Sequence, residues 1–203
     1  MDSTDNKQVI YYTTPVTVYN NRQFSTGRES KPGNFLPESV YSQALDELVI
    51  ACVDIIPVYN GQMLIGLRTW EPQPNWWCFG GRMRKGELYQ IAAARNTKRE
   101  LFQNTQEIKI NPDRFILVGI YNLIWNTRAQ TPIENGSHVI SVTMMLPLTD
   151  DESSLLHCNE EYHETRWIRP CEIIVGAEKY HPCLVLMAKD ITKFLPFRNK
   201  QVL

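Results

Sequence analysis

Hydrophobic positions along this chain follow two periods, one typical of strands and one typical of helices. Apolar and β-branched runs flank Asn60-Gly61, a dipeptide that strongly favours a two-residue hairpin turn. Further runs of this kind follow in the second half of the chain, bounded by polar loops. The predicted strands are Leu48–Val58, Met63–Arg68, Phe115–Trp125, His138–Leu146 and Glu164–Ile168.

Helical periodicity begins at Glu87, where apolar residues recur every three to four positions in a run rich in good helix formers. A closing amphipathic helix is predicted over Pro182–Phe194, and a short helix over Glu38–Asp46 ahead of the first strand. Strands and helices intermixed in this order predict an α/β sandwich around a mixed sheet.

The first 34 residues differ in composition from the rest of the chain. Val9–Tyr19 has the residues of one strand, whereas Asn20–Asn34 is polar and carries glycine and proline, as linkers do. We therefore expect an N-terminal arm over residues 1–34 and one domain over residues 35–203.

Charge and cysteine content exclude several classes of protein. The 203 residues include 21 Lys+Arg against 22 Asp+Glu, so there is no basic excess for nucleic acid or a membrane surface. No apolar run is long enough to span a bilayer, and the acidic start is unlike a secretory signal, so we expect a cytoplasmic protein. The five cysteines form no CxxC pair, which predicts reduced, mostly buried thiols.

The segment with the clearest chemistry begins at Gly80-Gly81 and continues through a basic turn into the helix. A glycine turn lets the backbone approach a phosphate or a metal closely, and carboxylates on a helix can hold a hard cation. Glu87 and Arg95 are eight residues apart, about two helical turns, which predicts an ion pair between them. The spacing of Gly81, Glu87 and Arg95, with Glu100 five residues later, resembles the Nudix box of hydrolases that cleave nucleoside diphosphates linked to another group.

The box is incomplete in this chain. Asn96 and Arg99 stand where the pattern has glutamates, and Phe102 stands where it has a glycine. Together with Glu100, the helix face that would hold three carboxylates has roughly no net charge, which predicts at most a single divalent ion rather than a cluster.

The GDP-mannose mannosyl hydrolases carry the same reduced box, and the similarity runs from about Phe35 to Trp167. This resemblance implies a Nudix-type α/β/α sandwich and Mg²⁺-dependent hydrolysis, with Mn²⁺ as a substitute. The implied substrate is GDP-mannose or an analogous nucleotide sugar, and the products are a nucleoside diphosphate and free sugar. The resemblance also implies a homodimer, because members of the family are commonly dimers.

The resemblance assigns roles to individual residues. The implied metal ligands are the Gly80 carbonyl, Glu100 and Glu161. The implied substrate-binding residues are Asp54 for sugar hydroxyls, Arg68, Arg82 and Arg95 for the diphosphate or in support of the site, and Trp70 and Trp125 for stacking on the base. Asp54 also stands out by itself, because a carboxylate inside an apolar strand is costly to bury without a partner; pairing with an arginine at a strand end is the alternative role.

Two departures affect the implied reaction. Tyr162 occupies the position of the family's catalytic histidine, and His163 follows it as the candidate base. The catalytic residues that the resemblance implies are therefore His163, Tyr162 and Arg68. Val139, after His138, replaces a tyrosine thought to assist the leaving group. Two alternatives therefore stay open: a pyrophosphohydrolase that attacks phosphorus, in which more carboxylates usually take part, and a nucleotide-binding module without turnover.

Overall fold

The computed structural model describes residues 36–105 and 107–195. The predicted N-terminal arm, including the strand expected over Val9–Tyr19, lies outside the described residues. The helices are α1 (Glu38–Glu47), α2 (Tyr89–Leu101), α3 (Asp150–Ser154), α4 (Pro170–Val175) and α5 (Pro182–Ile191). The strands are β1 (Ile50–Tyr59), β2 (Gln62–Arg68), β3 (Trp76–Trp77), β4 (Phe79–Arg82), β5 (Ile116–Trp125), β6 (Ser137–Pro147) and β7 (Tyr162–Ile168).

These strands form one mixed sheet with the order β3-β2-β1-β6-β5, in which β4 also pairs with β1 and β7 with β2. Strands β1 and β6 are parallel, and the other pairs are antiparallel. The predicted hairpin is confirmed, since Val58 pairs with Met63 and both turn residues, Asn60 and Gly61, have positive φ.

The sheet separates two hydrophobic cores. Val53 and Ile55 of β1 pack on the side of α2, whereas Ile56 and Val58 pack on the side of α5. This arrangement follows from the alternation of side chains along a strand, with apolar residues buried on both faces. The predicted α/β/α sandwich around a mixed sheet is therefore confirmed.

Sequence patterning located most of the described elements to within two residues, and the differences have local causes. Strands β3 and β4 were not predicted, because they are two and four residues long and β4 contains two glycines. Helix α3 was also missed, although Thr149 and Glu152 form a capping box at its start. Helix α5 ends at Ile191, three residues before the predicted end.

The five cysteines are free thiols, as predicted. They are less uniformly buried than expected, because Cys78 and Cys183 are buried whereas Cys171 is exposed. Across the described ranges, the helices are all too short or too polar to cross a bilayer.

Candidate active site

The predicted glycine turn is part of strand β4 instead, and Gly80-Gly81, called the glycine turn below, lies directly against the central strand β1. Gly80 pairs with Asp54 and Gly81 pairs with Val53 in the antiparallel ladder between β4 and β1. Gly80 has a φ of +143°, and a Cβ atom there would lie 2.2 Å from the Val53 carbonyl oxygen and 3.0 Å from Oδ1 of Asp54. Only glycine allows this approach, which brings the turn into contact with the buried carboxylate of β1.

Glu100 of α2 is fully buried beneath the turn, at 0% exposure. Its Oε2 accepts hydrogen bonds from the Gly80 amide and the Tyr162 hydroxyl, each at 2.8 Å. Its Oε1 forms a short ion pair with Arg99. Burial raises the pKa of Glu100, although these donors oppose the rise. Both carboxylate oxygens are therefore used within the protein.

Arg99 interacts with the groups that were predicted to hold a metal. Besides its ion pair with Glu100, its Nη2 donates to the Gly80 carbonyl oxygen at 3.3 Å. Burial acts to lower the pKa of Arg99, but the negative charges of Glu100 and Glu161 outweigh it and hold the pKa above its ordinary value. The guanidinium is therefore the cation in contact with Gly80 and Glu100.

The donor set around the turn does not fit a divalent ion. Among residues 36–105 and 107–195, no three His, Cys, Asp or Glu side chains are grouped so that they could hold a metal. Mg²⁺ requires several oxygen ligands, whereas both oxygens of Glu100 already accept hydrogen bonds and Glu161 is exposed. The predicted Mg²⁺ site is thus an expectation from the resemblance that these contacts do not support.

Arg95 is committed to contacts inside the protein. Its Nε and Nη2 donate to the two oxygens of Glu87 at 2.6 and 2.8 Å, which confirms the predicted ion pair. Its Nη2 also donates to the Arg82 carbonyl oxygen at 2.9 Å, and its Nη1 to Asn96 at 2.8 Å. Because all three guanidinium nitrogens donate within the protein, Arg95 supports the loop before α2, which is one of the two roles that the resemblance implies.

Arg95→Gln is expected to lower the free energy of unfolding by about 2–3 kcal/mol, because it leaves the mostly buried Glu87 carboxylate without its charged partner. Urea unfolding followed by circular dichroism measures this difference. Arg169→Gln serves as the control, because Arg169 is exposed and the same loss of charge there is expected to have little effect. Equal stabilities of the two variants would contradict the supporting role.

Asp54 and Arg68 form the second charged group beside the turn. Asp54 is only 8% exposed, and its Oδ2 accepts a hydrogen bond from the Ser141 hydroxyl at 2.6 Å. Burial raises the pKa of Asp54 to about 6, while the Ser141 hydrogen bond and the positive charge of Arg68 limit the rise. Nε of Arg68 is buried and has no hydrogen-bond partner in the described part of the chain. Asp54 is thus a buried, titratable carboxylate on which the positive charge of Arg68 acts, although no hydrogen bond or ion pair joins the two side chains.

Tyr162 and His163 are placed on different sides of β7. Tyr162 is buried: its ring lies 4.6 Å from that of Phe79, and a Cβ on Gly66 would lie 2.3 Å from the Tyr162 ring. Burial and the neighbouring Glu100 carboxylate raise the pKa of Tyr162 well above its usual value, so it cannot be a base near neutral pH. The catalytic role suggested for Tyr162 is therefore replaced by a supporting one. His163 is exposed and makes no hydrogen bond or ion pair within the described ranges, so the structure does not bring it to Glu100.

The remaining predicted substrate-binding residues lie around the turn or on the surface. The Arg82 guanidinium lies 3.6 Å from the centre of the Tyr41 ring, a cation–π contact that the sequence did not predict. Trp70 is 63% exposed. Trp125 is half-buried and packs against Trp77 and His181, with ring centroids 5.6 and 5.2 Å apart.

Trp125 also lines an open cleft between α1 and the adjoining ends of β5 and β6. The cleft has a volume of about 470 Å³, and His138, Asp46 and Ile124 contribute to its wall. Nε2 of His138 lies 2.8 Å from the amide oxygen of Asn122, which gives this histidine a structural partner. The stacking of a nucleobase on Trp125, expected from the resemblance, stays a prediction.

Comparisons with solved structures identify the fold. The MutT protein from Methanosarcina mazei Go1 aligns with a TM-score of 0.53 and 16% identity, over 72% of this chain and 94% of that protein. The MutT Nudix hydrolase from Burkholderia pseudomallei also gives 0.53 and 16%, over 71% and 99% of the two chains. The dihydroneopterin triphosphate pyrophosphohydrolase of E. coli gives 0.52 and 12%, over 73% and 100%.

At these identities the likeness concerns the fold alone. No family model and no curated protein matches the chain by sequence. The architecture is that of the Nudix hydrolases, a class of α/β/α sandwich. The chain therefore has the Nudix fold, with the altered box described above on its characteristic loop and helix.

Proposed function

We propose that this protein hydrolyses a nucleoside diphosphate sugar, with GDP-mannose as the first candidate, to a nucleoside diphosphate and free sugar. The observation that carries the proposal is the buried carboxylate of Asp54, which lies against Gly80 and has a pKa raised by burial to about 6. The Nudix fold and the resemblance of the segment from Gly80 to Glu100 support the choice of substrate class.

Asp54 and Arg68 have the chemistry that this reaction needs. A carboxylate with a pKa of about 6 can accept a proton near neutral pH from the attacking water. Water would form a bond to the anomeric carbon as the bond from that carbon to the diphosphate oxygen breaks, and the diphosphate would leave with the electron pair. The guanidinium of Arg68 would balance the charge that develops on the leaving group.

Other parts of the predicted function stay predictions. The contacts around Glu100 do not fit Mg²⁺ or Mn²⁺, so no step of the proposed reaction uses a metal. His163 is a second candidate for the base, and it would have to act from the exposed side of β7. The small-molecule substrate, the cytoplasmic location, the homodimer and the lack of nucleic-acid and membrane partners are likewise inferences from the sequence.

Incubation of the full chain with GDP-mannose, other nucleotide sugars and ADP-ribose, followed by chromatography of the products, tests the proposal. Nucleoside diphosphate and free sugar are the expected products. Sugar phosphate and nucleoside monophosphate would instead establish attack at phosphorus.

Asp54→Asn is expected to reduce kcat by about 10²–10⁴-fold, because it removes the proton acceptor while keeping the shape of the side chain. The matched control is Asp113→Asn, since Asp113 is exposed in a short helical turn and its substitution should leave kcat unchanged. Near-wild-type turnover by Asp54→Asn would exclude Asp54 as the base and return that role to His163.

A non-hydrolytic nucleotide-binding module is the second candidate. The observation that favours it is Tyr162, which fills the position expected for a catalytic histidine and is hydrogen-bonded to Glu100. Thermal stabilisation by GDP or GDP-mannose, without product from any of the tested compounds, would support this candidate over the hydrolase.

A further inference from the structure

We propose that Arg99 replaces the divalent cation in this site, so that the protein binds its nucleotide ligand without a metal. The claim about the cation rests on the contacts of the turn alone. The claim about the ligand rests also on the function proposed above, and the experiment below separates the two.

The guanidinium of Arg99 lies beside the groups that were expected to hold the metal. Arg99 donates to the Gly80 carbonyl oxygen at 3.3 Å and forms an ion pair with Glu100. The third group expected to hold the metal, Glu161, interacts electrostatically with the same guanidinium. One fixed positive charge therefore contacts two of the three groups that were expected to hold an ion and acts electrostatically on the third.

Both carboxylate oxygens of Glu100 already accept hydrogen bonds. Its Oε2 accepts from both the Gly80 amide and the Tyr162 hydroxyl, and its Oε1 is taken by Arg99. A divalent ion would have to displace a donor from Oε2 or share Oε1 with the guanidinium, and it would then lie next to a like charge, which is unfavourable in a buried site.

Asn96 removes another possible ligand. It replaces a glutamate of the Nudix pattern, is fully buried, and its side-chain oxygen accepts from Arg95 at 2.8 Å. Its amide nitrogen donates to the Gly81 carbonyl oxygen at 3.2 Å. A neutral amide with both ends bonded contributes no negative charge to the turn, so the single charge of Arg99 suffices to balance Glu100.

Arg99 can also bind an anion. Its side chain is 39% exposed, and its Nη1 makes no hydrogen bond to other described residues. A guanidinium can donate two parallel hydrogen bonds to phosphate oxygens, which gives it the charge-neutralising role that a metal has in binding a diphosphate. A ligand diphosphate beside the turn would therefore meet Arg99 directly.

Mn²⁺ binding, measured on the full chain by electron paramagnetic resonance, tests the claim about the cation. The wild-type protein is expected to show no saturable site up to about 1 mM Mn²⁺, a concentration at which weak oxygen-ligand sites already fill. Arg99→Glu is expected to gain at least about tenfold in Mn²⁺ affinity, because it removes the resident cation and adds a carboxylate. Arg169→Glu is the control, since it makes the same change of charge at an exposed arginine and should gain no site.

Arg99→Gln provides a second variant if the paired carboxylates of Arg99→Glu prevent folding, and it should also bind Mn²⁺ more tightly than wild type. Saturable one-to-one Mn²⁺ binding by the wild-type protein, abolished in Glu100→Gln, would overturn the proposal. So would a folded Arg99→Glu protein with no gain in affinity.

Thermal unfolding with GDP, in EDTA and in Mg²⁺, tests the claim about the ligand. The shift in Tm caused by GDP is expected to be the same in both conditions, and to be lost in Arg99→Gln. A shift that requires Mg²⁺ would overturn metal-independent binding. If neither GDP nor the tested nucleotide sugars shift the Tm and none is hydrolysed, the proposed function fails, together with the claim about the ligand, whereas the Mn²⁺ measurement still decides the claim about the cation.

Discussion

Glu100→Gln is expected to lower the free energy of unfolding by about 1–3 kcal/mol, because it leaves donors of Arg99 without an acceptor. Arg99 is 39% exposed and burial raises the pKa of Glu100, so the cost of burying the charge offsets part of the ion pair, and the loss should lie below the range for breaking a completely buried pair. The glutamine oxygen can still accept from Gly80 and Tyr162, but its amide group would then point toward the guanidinium, where two donors face each other. The effect is therefore larger than that of one neutral hydrogen bond.

Urea unfolding at pH 7 measures this loss, with Glu47→Gln at the exposed end of α1 as the matched control. The control should change stability by less than about 0.5 kcal/mol. Combining Glu100→Gln with Arg99→Gln should recover part of the loss, because no uncompensated charge is left in the site. A single variant as stable as the wild type would mean that the Glu100 ion pair contributes nothing to the fold.

The free energy of unfolding attributable to Asp54 is expected to fall by roughly 3 kcal/mol as the pH rises from about 4 to about 7. Burial raises the pKa of this carboxyl from 3.8 to about 6, so the folded protein binds the proton more tightly than the unfolded chain. The contribution is therefore fully present below pH 3.8 and is lost as the pH rises through about 6.

Comparing the wild type with Asp54→Asn separates the contribution of Asp54 to the pH dependence of stability from the contributions of other titratable groups. The pKa of Glu87, for instance, is lowered by Arg95 against the effect of burial, and its stabilisation is lost at lower pH, as the pH falls through its folded-state pKa. The stability of Asp54→Asn relative to wild type should rise by roughly 3 kcal/mol between pH 4 and pH 7, as measured by urea unfolding at several pH values. The Asp113→Asn control should run parallel to wild type. Parallel curves for Asp54→Asn would show that Asp54 has an ordinary pKa.

The elements with strong local signals were predictable from the sequence. Asn60-Gly61 defined the hairpin, and the helical period after Glu87 defined α2, because turn chemistry and amphipathic spacing are local properties. Strand β4 was not predictable in this way. Its residues become a strand only through pairing with β1, and a pair of glycines has low strand propensity when considered alone.

The sequence predicted which residues lie in the candidate site better than it predicted their roles. The residues Gly80, Glu100 and Asp54 do lie together, whereas Tyr162 supports Glu100 instead of acting on a substrate. The sequence showed that Arg99 departs from the Nudix pattern, but the direction of a long flexible side chain cannot be derived from its place on a helix. Ser141 was missed as well, since its contact with Asp54 depends on the register of β6 against β1.

The hydrogen bond between Asp54 and Ser141 also has a consequence for the order of folding. It joins residues 87 positions apart on two parallel strands, and such strands pair only after a long intervening segment has been closed into a loop. Contacts this distant in sequence form slowly compared with a hairpin or a helix. A nascent chain can therefore form the β1–β2 turn early. The carboxylate of Asp54 gains its hydrogen bond from Ser141 only later, when β6 pairs with β1.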